Sequence, residues 1–286
     1  MLSGSKQTQT VSDNGVAVQA TGDVIMHAGL SITDVRLICS EYLRDNFPRL
    51  RETANETARK RVNEFASTLD KRLTIGNARP DLEKFADPDV QATLNDAVQA
   101  IARGGENASP TVLASLIAAR VSEGTKAFKD LVLREAVHVV PRLTAQHIDC
   151  LSAIVAVTCI SPSSTATVNQ VASLGKNLLE AVSNAFGIPR SQLAHLQYSG
   201  AASVDNLTVS NWYEEINKRC PHLGLADGAA FKKMLEQHAP SYASLLLKYQ
   251  DERFDAIRLT SVGQAIGITN LANKLPELLQ LEAWQP

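Results

Sequence analysis

The chain has 286 residues, of which 44% are hydrophobic, 20% charged and 5% aromatic, and its formal net charge is −2. This is the composition of a globular protein with enough chain for one large domain or two smaller ones. The near-neutral balance excludes an overall electrostatic footprint for nucleic acid or an anionic membrane, though not a local basic patch.

Residues 1–15 are polar and rich in Gly, Ser, Thr and Gln, and read as a disordered tail. Met1 to Asn14 has no apolar core, so no secretion signal is expected and the cytoplasm is the expected compartment. Val16 and Val18, then Val24 and Met26, alternate around the Thr21-Gly22-Asp23 turn, a pattern for a small β-hairpin over residues 16–27. A lone hairpin is marginal in water, so it must pack on the body or pair with another chain. Val24, Met26 and His27 are therefore candidate interaction residues.

Helical signals dominate after Gly29. Ser31 or Thr33 can cap a helix carrying Val35, Ile38, Tyr42 and Leu43, and Pro48 punctuates it. From Arg49 to about Leu73 the apolar stripe Leu50, Ala54, Ala58, Val62, Phe65 and Leu69 keeps helical spacing, and the other faces are highly charged. Asp87-Pro88-Asp89 opens a further helix, with Asp87 as its cap. Helices beginning near Ser109, Thr125 and Thr144 follow, and the four are expected to form an antiparallel bundle over about residues 80–160. Ile148 to Ile160 is the most apolar run, at about 13 residues against about 20 for a membrane span, and reads as a buried core helix.

Ser161 to Thr167 is the most linker-like interior stretch. The expected organisation is a tail at 1–15, a hairpin plus helical bundle at 16–160 and a helical domain at 168–286. In the last, helices are expected over Val168–Phe186, from Pro189, over Val209–Arg219 and over Gly228–His238. Arg253 to Leu259 reads as a short strand leading through a Thr260 cap into a helix, an order that resembles the end of winged-helix domains. The fold class is mainly α.

No phosphate-binding loop, dinucleotide fingerprint, zinc-protease helix, EF-hand or nucleophile elbow occurs in the sequence. No cofactor or metal is expected. Cys39, Cys150, Cys159 and Cys220 form no C-x-x-C pair and read as reduced thiols. His147 and Cys150 could share a helix face in a metal site, with His138 nearby, but a hydrogen-bonded structural His fits the apolar context better. Asp87 and Asp89 could be paired carboxylates, yet fit better as helix-start residues. Arg59-Lys60-Arg61 is either a solvated face interleaved with Glu56 and Glu64 or a basic patch. Trp212 is either core or a partner anchor, as are Tyr213 and Trp284.

The segments Gly22–Val35, Asn46–Leu50 with Val62–Phe65, Phe85–Gln91, Glu135–Leu143 and Leu259–Ile266 together resemble a family of largely uncharacterised bacterial helical proteins. The likeness lies in caps, turns and core positions, so it implies fold and carries over no catalytic residues. Such proteins are similar to components of bacterial defence loci, one candidate being the sensor-like component of the jumbo-phage killer immune system. The resemblance implies a non-enzymatic sensor or adaptor that recognises an infection structure and recruits a protein effector. Val24, Met26, His27, Arg59, Lys60 and Trp212 are the candidate interaction residues. A winged-helix DNA-binding regulator and a lipid- or membrane-surface-recognising helical protein are the alternatives. Nucleic acid is the less favoured partner, and homo-oligomerisation is left open.

Overall fold

The computed structural model describes residues 32–75, 80–162, 165–205, 211–279 and 284. The hairpin expected at 16–27, with Val24, Met26 and His27, lies outside them. The chain divides into two compact units, residues 1–54 and 55–286, and the division falls within the first helix, α1 (Ile32–Ile75). The sequence predicts two helices separated at Pro48, but α1 runs through that residue. Proline removes one backbone donor, and inside a long helix it can bend the rod instead of ending it.

In the first unit the described part is the amino-terminal portion of α1, where Arg36, Leu37, Ser40 and Glu41 are exposed. The second unit continues α1 and adds α2 (Pro88–Gly104), α3 (Pro110–Arg120), α4 (Ala127–Val139), α5 (Ala145–Thr158), α6 (Val168–Ala181), α7 (Arg190–Tyr198), α8 (Trp212–Arg219), α9 (Gly228–His238), α10 (Pro240–Asp251) and α11 (Ser261–Lys274). Two three-residue strands, β1 (Ala202–Val204) and β2 (Ile257–Leu259), pair antiparallel with Ala202 opposite Leu259 and Val204 opposite Ile257.

The caps follow the sequence. Asp87 accepts the Asp89 N–H at 2.7 Å, and the Thr144 and Thr167 hydroxyls cap α5 and α6. Thr125 departs from expectation: its hydroxyl donates to the Ala119 and Ser122 carbonyls, and Lys126 takes the cap position of α4. The strand expected over 253–259 is shortened. Arg253 is left-handed (φ 59°), Phe254–Ala256 make a 3-10 turn that buries Phe254, and only Ile257–Leu259 pair.

α5 is buried from His147 to Val157, and α11 packs along it. A Cβ on Gly267 would lie 2.7 Å from the Leu151 carbonyl oxygen, so only glycine allows this approach. The Ser152 hydroxyl, 3.1 Å from the Gly267 carbonyl, fastens the same crossing. α11 also packs on α3 and α4. The expected bundle is thus completed by the last helix of the chain, and one hydrophobic cluster runs from Phe65 to Leu271 across the linker-like stretch at Ser161–Thr167. The core does not divide there, because the apolar faces of α3, α4 and α5 are covered from beyond it. Elsewhere in the same core α6 packs on α10, and Trp212, Tyr249, Phe254 and Phe186 make consecutive ring contacts between 5.6 and 5.9 Å.

Candidate recognition surface

The basic cluster on α1 separates into two parts. Arg61 turns inward, and its Nη1 donates to the Ala102 (3.1 Å) and Arg103 (2.9 Å) carbonyls at the end of α2. Those carbonyls lack helical partners and carry the negative end of the dipole. The fit depends on Gly105, which is left-handed (φ 56°) and whose Cβ would sit 2.7 Å from Arg61 Nε. Arg59 and Lys60 stay exposed, with Lys60 Nζ 4.0 Å from Glu64.

Two open clefts flank the turn after α2. One, of about 450 Å³, is lined by Lys60, Glu64, Gly104, Asn107 and Thr111. The other, of about 390 Å³, is lined by Asp96, Gln99, Arg103, Asn107 and His138, with His138 Nδ1 3.5 Å from an Asp96 carboxylate oxygen. Both have the size of small-ligand pockets. Their linings mix cations with acids, and neither contains a Ser or Cys nucleophile. On α4, Phe128 and Leu131, three residues apart on one helix face, are exposed at 56% and 42%.

The other residues singled out from sequence hold structure. His147 engages backbone through both ring nitrogens: Nδ1 faces the Thr144 N–H and Nε2 the Gln192 carbonyl. The Cys150 thiol donates to the Ala185 carbonyl at 3.1 Å, and burial pushes its pKa up to about 12. Among the described residues no group of three His, Cys, Asp or Glu side chains could hold a metal ion. Asp87 is a cap, and Asp89 binds Arg120. Trp212 is only 5% exposed, packed edge-on against Tyr249, and its indole N–H has no partner. It is a core residue in this fold, because the first turn of α8 faces inward. Trp284 is half-buried under the Lys129 ammonium.

Two polar clusters were not anticipated from sequence. The Arg120 guanidinium, 3% exposed at the end of α3, pairs with Asp130 at 2.9 Å and with Asp89, and donates to Thr93 Oγ1. Burial works against its charge, but the two carboxylates outweigh it and raise the pKa above the ordinary value. Buried Asp149 accepts from Lys274 and from the Asn270 (2.8 Å) and Asn184 (3.1 Å) amides, which ties the end of α11 to α5. An Arg closing an otherwise apolar helix, and an Asp inside the most apolar run, were the available signals: each must find a partner when buried.

One family model, described as ":-like", matches residues 29–223 and 211–285. The family is uncharacterised, and the chain belongs to it. No curated protein and no solved structure matches the chain. Among the described residues no helix is long and apolar enough to cross a membrane.

Proposed function

We propose that this chain is a non-enzymatic sensor or adaptor of a bacterial anti-phage defence system, which recognises an infection structure and recruits a protein effector. The defence setting rests on the sequence resemblance. The observation that carries a binding role is the division of the α1 cluster: Arg61 is used inside the fold, while Arg59 and Lys60 remain exposed and Lys60 lines an open cleft. The metal-ligand candidates Cys150 and His147 and the paired-carboxylate candidate Asp89 are engaged in structural bonds, which favours recognition over chemistry. Val24, Met26 and His27, which lie outside the described residues, are proposed as further interaction residues. Deleting residues 1–28 is expected to weaken effector recruitment and phage protection in bacteria carrying the chain with its neighbouring genes. Undiminished recruitment and protection would remove the amino-terminal segment from the account.

A winged-helix DNA regulator is the second reading, favoured by one observation: β2 does lead through a Thr260 cap, at 3.2 Å from the Gly263 N–H, into α11. It ranks second because α11 buries Ala265 to Thr269 and Leu271 and so offers no open recognition face. Binding to duplex DNA that weakens with salt would reverse that order.

A further inference from the structure

Helices α5 and α6 begin with the same reciprocal cap. At α6 the Thr167 hydroxyl accepts the Gln170 N–H (3.4 Å), and the Gln170 side chain accepts the Thr167 N–H (2.8 Å). At α5 the Thr144 hydroxyl accepts the His147 N–H (3.2 Å), and His147 Nδ1 accepts the Thr144 N–H (3.2 Å). Gln or Glu is the usual residue at this third helical position. Histidine in its place makes the α5 cap titratable. Nδ1 can accept only while it carries no proton, so the ring proton sits on Nε2, which faces the Gln192 carbonyl of α7 at 3.2 Å. A second proton on Nδ1 would turn it toward the Thr144 hydroxyl, 3.0 Å away, and cost the cap its reciprocal bond from the Thr144 N–H.

His195 lies one turn beyond Gln192 on α7. Its ring centroid is 5.2 Å from that of His147, and its Nε2 is 2.8 Å from the Arg142 carbonyl. Beyond it lies the tilted ring of Tyr198, 5.8 Å away and 83% exposed. The two histidines therefore fasten α7 to the start of α5, each through a bond to the other segment's backbone. The other charged residues on these elements are Arg142 in the turn before α5, Arg190 on α7 and Asp149 on α5, and the elements packed on α5 bring Lys274 on α11, Arg258 on β2 and, at the end of α10, Glu252, which accepts the Gly187 N–H. Asp149 is turned away, bonded to Lys274 and Asn270.

We propose that His147, with His195 beside it, forms an acid-sensitive latch, which holds α7 on the start of α5 while the His147 ring is neutral and releases it when that ring is protonated. Charging His147 would break the bond from the Thr144 N–H and set a cation at the positive end of the α5 dipole. Burial first, then His195, hold the His147 pKa below its ordinary value of 6.5. The unfolded segment accordingly binds more protons below pH 6.5. The latch is intact above that pH and weakens as pH falls toward the depressed folded value.

Amide exchange of α7, followed by NMR on the full chain from pH 8 to 5 and corrected for intrinsic rates, tests this. Protection of α7 is expected to fall by up to about tenfold per pH unit below 6.5, while α6, capped by Gln170, stays level. His147→Gln copies the α6 cap and should abolish the slope. Protection of α7 that is independent of pH in the wild type, or an equal slope in His147→Gln, would overturn the proposal. Should His147→Gln fail to protect α5 at pH 8, His195→Gln decides. A reduced slope supports the latch, and an unchanged one refutes it.

Discussion

Arg120 shows how a buried charge is kept in this fold. Its partners Asp89 and Asp130 are half-exposed and can hydrate if left alone, whereas the guanidinium cannot. The two sides of the pair are therefore unequal. Arg120→Met removes the buried charge and is expected to cost about 1–3 kcal/mol in chemical denaturation. Replacing Asp89 and Asp130 together by Ala strands the cation and should destabilise more; the opposite order would show that the carboxylates are not what retains the charge. The hydrogen bond from Arg120 holds the Asp89 carboxyl below its ordinary 3.8, against some burial. The stability it adds is present above pH 3.8 and is lost as pH falls through the folded value. Urea midpoints measured from pH 5 to 2 should thus fall more steeply in wild type than in Arg120→Met. The sequence signals that Arg120 and Asp149 need partners when buried, but not which residues supply them. Those partners lie 10 and 31 residues away for Arg120 and 121 and 125 for Asp149, and only the fold brings them together.

The helices themselves were more legible, because caps and apolar spacing are local. Asp87-Pro88, Thr144 and Thr260 mark starts that the structure keeps. α10 was missed, although Tyr242, Leu245, Leu246 and Tyr249 have helical spacing and are all buried. Its Ala239-Pro240 start has no side-chain cap to announce it. Thr144→Ala is expected to cost about 1 kcal/mol by freeing the first donors of α5. A null effect on the thermal midpoint would mean that packing alone holds that end. At the α5–α11 crossing, Gly267→Ala should cost about 1–3 kcal/mol, since the new methyl meets the Leu151 carbonyl and the helices must part. An unchanged melting curve would show that the approach is looser than 2.7 Å implies.

The architecture of the second unit could not be read from the chain in order. A bundle over residues 80–160 is a reasonable reading of four consecutive amphipathic helices. Yet α3, α4 and α5 leave apolar faces that α11 covers, from about a hundred residues further on. A fragment ending at 160 should therefore lack a cooperative melt, and so should a chain ended before Ser261. A sharp transition in either would contradict the single core. The candidate surface was legible only in part, for a similar reason. The Arg59–Arg61 cluster is visible as letters, but only the C-terminal end of α2, with Gly105, separates the structural Arg61 from its exposed neighbours. The recognition role proposed for that surface is tested most directly by Arg59→Glu/Lys60→Glu, with phage plaque counts read beside the thermal midpoint. The expected result is lost protection with an unchanged midpoint. Full protection from the doubly reversed variant would contradict the account.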